Sequence, residues 1–176
     1  MRSKGSDQRQ REFVPKDIAK IKAAVVTASD TRHADDDVSG TTLVGLLIAM
    51  GAEVSTRRIV KDDIETIKET LLELAILQDV NLVLTTGGTG FSPRDNTPEA
   101  TLAVIEREAP GIAEAIRRES AKKTPTTMLS RGVAGIRGNT LIINFPGSPK
   151  AVAECFDVVK PILAHAIDLI SGESKH

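Results

Sequence analysis

The chain of 176 residues contains no tryptophan and no tyrosine, four phenylalanines and a single cysteine. Each shortage excludes something. Sheet-platform RNA recognition stacks bases on Tyr and Phe, and single-strand binders line a groove with aromatic rings, so neither is expected. An aromatic membrane belt is missing for the same reason. Cys155 has no second cysteine to pair with inside the chain, which fits a reducing, cytoplasmic setting. No sign of charge dominates: 23 basic and 24 acidic residues leave a formal net charge of −1. Bulk attraction to nucleic acid is therefore unsupported, and only a local basic patch would supply it. Long hydrophobic runs are lacking too. The longest strongly apolar stretch without charges, Ser39–Ala52, holds Gly, Ser and Thr. It is too short to cross a bilayer as a helix and reads as a core helix. Met1–Arg11 is polar and basic with no apolar run behind it, unlike a secretory signal.

What is present is the makeup of a globular chain, 40% hydrophobic. A domain near this length buries roughly 70% of its unfolded surface and needs no disulfide to hold a core. Residues 1–17, with Arg2, Lys4, Arg9, Arg11 and Lys16 among Ser, Gly and Gln, read as a flexible N-terminal arm. Residues 18–176 read as one domain without internal repeats.

Within that domain strands alternate with helices. Strands are expected over Lys22–Ser29, Glu53–Val60, Leu82–Thr86, Val133–Ile136 and Thr140–Asn144, the last two joined tightly through Arg137-Gly138-Asn139. Ser39 is expected to cap a helix running to Met50, with Gly51 as its stop. Asp62 or Asp63 caps the next, whose Ile64, Ile67, Leu71, Leu74 and Ile76 recur at helical spacing. Further helices are expected over Pro98–Glu108 and Gly111–Lys122, and a last helical region from Ser148-Pro149 is divided or kinked at Pro161. The pattern implies a three-layer α/β/α domain with a mostly parallel sheet and a small β hairpin.

In such a sheet a ligand lies beyond the C-terminal ends of the strands. Four unusual loops fall there: Ser29-Asp30-Thr31, Lys61-Asp62-Asp63, the stretch from Gly87 to Asp95, and Asn144 to Pro149. In Gly87-Gly88-Thr89-Gly90 the glycines let backbone N–H groups approach an anion, Thr89 adds a hydroxyl, and Arg94 adds a forked cation suited to phosphate. A tight strand-to-helix turn would need the same glycines. No Gly-Lys-Ser/Thr follows, so this is not a Walker loop. Pro93 stands where a dinucleotide-binding fingerprint needs its last glycine.

Asp62 and Asp95 are the catalytic candidates, because phosphoryl chemistry needs charge neutralisation and an ordered nucleophile, and carboxylates can hold Mg²⁺ beside substrate phosphates. Plainer roles are open to both: Asp62 as a helix cap, Asp95 as a loop pin through an Asx turn or an Arg94 pair. Ser148 and Ser29 are either anion-binding hydroxyls or ordinary caps. Cys155 reads as a core residue. His33, His165 and His176 are far apart, no cluster has zinc spacing, and no nucleophile elbow exists.

These residues carry a resemblance. Thr85-Thr86-Gly87-Gly88-Thr89-Gly90 followed by Arg94-Asp95-Asn96-Thr97-Pro98-Glu99-Ala100 resembles the signature of the molybdenum cofactor biosynthesis domain of the MoaB/MogA type. Thr27 to Thr31 with Asp37 to Gly40, Ile59 to Asp63, Met128 to Arg131, and Asn144 to Pro149 resemble its other segments in order, over roughly Ile18–Ile170. The resemblance implies a molybdopterin adenylyltransferase, using Mg-ATP to adenylylate the phosphate of molybdopterin and releasing pyrophosphate. The functional aspartates of that family fall on Asp62 and Asp95, with Mg²⁺ held there. Substrate contacts are expected from Ser29, Asp30, Gly87, Gly88, Thr89, Gly90, Arg94, Pro146, Gly147 and Ser148. The resemblance also implies a trimer, or a hexamer built from trimers, and a downstream molybdate-insertion protein as partner.

Two other function classes fit the same residues. One is a non-catalytic molybdopterin-binding or scaffold module, as in the gephyrin-type domain; retention of both aspartates weighs against it. The other is a related domain acting on another nucleotide, as in competence-damage-type proteins. Pterin and adenine are flat rings, yet only Phe91 and Phe145 lie near the four loops. Phosphate groups, held by glycine backbone, hydroxyls and carboxylates, are therefore the expected handle.

Overall fold

A computed structural model describes residues 20–76 and 79–172. The arm expected over residues 1–17 lies outside them. The alternating pattern becomes one six-stranded sheet of β1 (Lys22–Ala28), β2 (Glu53–Val60), β3 (Leu82–Thr86), β4 (Arg107–Glu108), β5 (Ala134–Arg137) and β6 (Thr140–Phe145), ordered β2-β1-β3-β6-β5-β4. The first four in that order run parallel, and β5 and β4 continue the sheet antiparallel. The helices are α1 (Val38–Ala49), α2 (Ile64–Ile76), α3 (Thr97–Leu102), α4 (Pro110–Ala121) and α5 (Pro149–Ser171).

Burial on both faces explains why the central strands are apolar without alternation. Ala23 and Val25 of β1 join a core with Leu43 and Leu47 of α1, Ile116 of α4 and Val152 and Phe156 of α5. Their neighbours Ala24 and Val26 point the other way, toward Ile67, Leu71 and Leu74 of α2 and Ala100 of α3. The result is the three-layer α/β/α domain expected, including the hairpin. Arg137 sits opposite Thr140, so Gly138 and Asn139 alone form the turn, with Gly138 at φ +54°.

Three local expectations are corrected. The helix begun at Thr97-Pro98 stops at Leu102 instead of Glu108. Beyond it the chain turns into the edge of the sheet, where the Glu106 and Ala109 N–H groups donate to Ile136 and Ala134 carbonyls at 2.8 Å each. Strand pairing with β5 wins there over helical spacing.

The cap of α1 is Asp37 and not Ser39: its carboxylate accepts from the Gly40 N–H at 3.0 Å. Asp37 is 1% exposed and also accepts from Thr27 Oγ1 at 2.7 Å and Arg57 Nη2 at 2.8 Å. Burial pushes its acidity the other way, but the Thr27, Gly40 and Arg57 hydrogen bonds and the Arg57 charge together hold the carboxyl below the usual carboxylate range.

Pro161 does not divide the last helix, which runs unbroken through it. Pro161 and Asp157, whose carbonyl it leaves unbonded, are both on the exposed side, while buried Val159 and Leu163 hold the inner face to the core.

Candidate active site

The parallel strands β1, β2, β3 and β6 all end at one edge, and the four expected loops meet there. They enclose two adjoining cavities. The larger, about 600 Å³, is bordered by Gly88, Thr89, Gly90, Asp95, Pro146, Gly147 and Ser148. The smaller, about 400 Å³, is bordered by Ser29, Asp30, Asp62, Gly87, Gly88, Arg94 and Gly147. Gly88 and Gly147 belong to both and form the ridge between them. All twelve residues expected at a site thus line one cavity or the other. Asp62 borders one side of the ridge and Asp95 the other.

Glycine makes this closeness affordable to the backbone. Gly88 has φ +63°, a left-handed conformation that L side chains rarely adopt. A Cβ there would stand 2.8 Å from both Asp62 carboxylate oxygens and 2.5 Å from Thr97 Oγ1. A Cβ on Gly90 would stand 2.9 Å from Asp95 Oδ2. Each aspartate therefore occupies the space beside one glycine of the loop.

The helix-cap role falls to Asp63, not Asp62: Asp63 Oδ1 accepts from the Thr66 N–H at 2.9 Å and Oδ2 from Thr66 Oγ1 at 2.6 Å. Asp62 is left to the cavity. Its Oδ1 accepts from the Asn96 N–H at 3.1 Å, and Asn96 Nδ2 donates to the Asp62 carbonyl at 2.8 Å. Burial pushes the Asp62 carboxyl above the usual carboxylate range, and the Asp95 and Asp30 charges push the same way; the Asn96 N–H and the Arg94 charge oppose them without cancelling them. A site that raises a carboxyl in this manner favours an incoming cation.

Asp95 does pin its own loop, since Oδ2 accepts from the Ser92 N–H at 2.9 Å. Arg94 pairs with Asp30, not with Asp95. Asp30 also accepts from the Asp62 N–H at 3.2 Å, so it ties the first two loops to the third. Ser29 Oγ accepts from the Arg32 N–H at 3.1 Å, and Ser148 Oγ caps α5 by accepting from Ala151 N–H at 3.4 Å. Both hydroxyls serve their own turns while still facing a cavity.

The comparisons with known proteins bear on this arrangement. The model of a family described as "Probable molybdopterin binding domain" matches residues 24–165. The chain belongs to that family. It is similar to the molybdopterin adenylyltransferase of Helicobacter pylori strain J99, 39% identical over 156 residues, covering 86% of this chain and 89% of that protein. It is also similar to the molybdenum cofactor synthesis protein cinnamon of Drosophila melanogaster, 43% identical over 87% of this chain. The matched region spans only 26% of cinnamon's length. Among solved structures, the molybdopterin biosynthesis enzyme MoaB of Thermus thermophilus superposes with a TM-score of 0.79 at 42% identity, covering 86% of this chain and 97% of that one.

In this member of the molybdopterin-binding-domain family, residues that loop chemistry did not single out also line the larger cavity. The larger cavity has a wall made by Ile116, Arg117 and Ser120 of α4, by Thr127 and Leu129 of a 3-10 segment over Pro125–Leu129, and by Ser130 just after it. Of these, only Leu129 and Ser130 fall in a segment that the resemblance marks, Met128 to Arg131. Cys155 lies in the core, as expected, 2% exposed at the cavity floor, where burial pushes its thiol up. Phe145 is fully buried in the core and cannot present a ring to a ligand, which leaves Phe91 as the exposed ring near the loops. Arg32 spans from Ser39 Oγ, at 2.7 Å, to the Gly147 carbonyl, at 3.0 Å, and so joins the first loop to the last.

Proposed function

We propose that this chain is a molybdopterin adenylyltransferase of molybdenum cofactor biosynthesis, transferring AMP from ATP to the terminal phosphate of molybdopterin. The observation that carries the proposal is the placement of Asp62 and Asp95 on opposite sides of the Gly88 ridge, each bordering its own cavity. A two-substrate transfer needs two adjoining binding spaces with charge control where they meet. The names of the similar proteins from Helicobacter pylori and Thermus thermophilus support the same reading.

In the proposed step an oxygen of the molybdopterin phosphate bonds to the α-phosphorus of ATP. The bond from that phosphorus to the bridging oxygen breaks, and pyrophosphate leaves with the electron pair. Little covalent work falls to the protein, so its contribution is orientation and electrostatics. The glycine-loop backbone, Thr89 and Ser148 orient phosphate groups. Asp30 and Arg94 neutralise one another and frame the smaller cavity.

Asp62 and Asp95 would hold Mg²⁺. Their hard oxygen donors fit that ion, and the raised Asp62 carboxyl gains from a neighbouring cation. Among the described residues no cluster of three or more acidic, His or Cys side chains forms an all-protein cage. That suits an ion whose remaining ligands are waters and substrate phosphates. When bound, Mg²⁺ supplies neutralisation of phosphate charge.

We also propose that the protein is cytoplasmic and a homo-oligomer, a trimer or a hexamer built from two trimers, handing its product to a molybdate-insertion protein. Among the described residues no helix is long and apolar enough to cross a membrane.

The test mixes the purified protein with molybdopterin, ATP and Mg²⁺ and looks for adenylylated molybdopterin and pyrophosphate. Asp95→Asn is expected to lower turnover by about a hundredfold or more with the fold intact. Near-parental turnover in that variant would sink the role of Asp95. Ligand binding without product would instead mark a non-catalytic molybdopterin-binding or scaffold protein.

A further inference from the structure

Asp95 sits on a loop from Gly90 to Asp95 with no helix or strand of its own. Its tip is exposed, Phe91 being 67% accessible. Internally the loop is closed by the Ser92 N–H on Asp95 Oδ2 and by the Asp95 N–H on the Ser92 carbonyl, both at 2.9 Å. Those bonds shape the loop but do not place it. Contacts outside it fix where the Asp95 carboxylate stands relative to Asp62: Arg94 pairs with Asp30, the Asn96 N–H donates to Asp62 Oδ1, and a third contact holds both ends of the loop.

Arg131 lies outside the loop and grips both its ends. Its Nε donates to the Gly90 carbonyl at 2.7 Å, and its Nη2 donates to the Asp95 carbonyl at 2.7 Å. Nη1 and Nη2 also reach the two carboxylate oxygens of Glu99 on α3. The Arg131 backbone N–H donates to the Thr89 carbonyl at 2.8 Å. One residue thus ties the residue before the loop, its first residue, its last residue and the helix that follows. The Glu99 pair holds the guanidinium plane, and the plane sets the separation of the two carbonyls. Only a flat, multi-donor fork can make these contacts at once; a lysine ammonium would reach one or two of them.

We propose that Arg131 is a positioning residue for adenylyl transfer, clamping Gly90 and Asp95 so that the Asp95 carboxylate is held in reacting geometry. This rests on the assignment of Asp95 above. Arg131 touches no reacting atom in this scheme and works through Asp95. A displacement of about 1 Å at a reacting group can cost a hundredfold in rate. Loss of the clamp is therefore a kcat effect more than a binding effect.

The test compares Arg131→Lys, Arg131→Ala and Asp95→Asn in the full chain, with two readouts. Pyrophosphate release in the presence of molybdopterin, ATP and Mg²⁺ gives kcat and KM. Backbone hydrogen exchange reads the loop independently of activity. Arg131→Lys is expected to lower kcat by about ten- to a hundredfold, with KM for either substrate changing less than about threefold. In Arg131→Ala, methylguanidinium at non-denaturing concentration is expected to restore part of kcat, and it restores nothing in Asp95→Asn. In both Arg131 variants the Ser92 and Asp95 amides are expected to exchange at least about tenfold faster, while β3 and β6 amides keep their protection.

Unchanged Ser92 and Asp95 exchange would overturn the clamp itself, whatever the rates. Faster exchange with kcat within about twofold of the parent, while Asp95→Asn is dead, would overturn the link from clamp to chemistry. Faster exchange with Asp95→Asn fully active would show that the assignment of Asp95, not the clamp, had failed. If Arg131→Ala does not fold, the lysine variant carries the same readouts.

Discussion

Replacing Gly88 by alanine tests the site at its narrowest point. Two separate costs are built into that position. The backbone sits at φ +63°, which an alanine tolerates at about 1–2 kcal/mol. The new methyl group would also lie 2.5 Å from Thr97 Oγ1 and 2.8 Å from both oxygens of Asp62. Thr97 Oγ1 donates to the Gly87 carbonyl at 2.9 Å, and Thr97 is fully buried. Moving it strands a buried polar group, at about 1–3 kcal/mol. The sum is a loss of about 2–5 kcal/mol, or a fall in Tm of about 4–20 °C for a domain of this size. Gly138→Ala separates the two costs. Gly138 has a similar positive φ of +54° but nothing within 4 Å of its would-be Cβ, and it lies in the β5–β6 turn. It carries the strain alone, so a drop of about 2–8 °C with unchanged kcat is expected. The chain has no Trp or Tyr, so far-UV circular dichroism is the suitable melting probe. Pyrophosphate release from ATP in the presence of molybdopterin reports turnover, which Gly88→Ala should lose by displacing Asp62. If Gly88→Ala melts no lower than Gly138→Ala and turns over normally, the packing of Asp62 against the glycine ridge is not what shapes the site.

Asp62→Asn should raise Tm near neutral pH while it lowers turnover, because asparagine keeps an acceptor for the Asn96 N–H and removes a charge the site disfavours. A carboxyl raised on folding costs stability while it is ionised in the folded state, so the gain should be full above its folded value. It should shrink as pH falls toward the unfolded carboxylate value near about pH 4; thermal melts across that range check the sign. Asp37→Ala should cost about 3–5 kcal/mol, since it leaves Arg57 without its buried partner and Thr27 without its acceptor. In the parent, the lowered Asp37 carboxyl contributes stability above about pH 4 that is lost as pH falls through its folded value. The variant's melting curve should accordingly depend less on pH in that acid range.

The chain order alone determined a good deal. Apolar runs without alternation, such as Leu82–Leu84 in β3, separated by stretches of helical spacing, specify a parallel sheet covered on both faces, because only a strand buried on both faces carries apolar residues at successive positions. Loops rich in Gly, Asp and Ser after those strands then have to meet at one edge. Both aspartates and the glycine loop were legible for that reason. What the order could not settle was competition between neighbours for one role. Asp62 and Asp63 are equally good caps on paper, and only the packed start of α2 gives the cap to Asp63 and the cavity to Asp62. Ser39 and Asp37 compete in the same way, and the buried Thr27 and Arg57 decide for Asp37. The β4 edge, the unbroken α5 and the burial of Phe145 depend on what lies across the sheet or on which helix face meets water. Arg131 is the clearest case. In the sequence it closes the Met128–Arg131 segment, thirty-six residues beyond Asp95, with nothing there to say what its side chain holds. Its donors find Gly90, Asp95 and Glu99 only when the chain returns beside the glycine loop on its way to β5. Periodicity and turn chemistry are local and survive in one dimension, whereas a three-way grip on backbone carbonyls exists only once distant segments have packed.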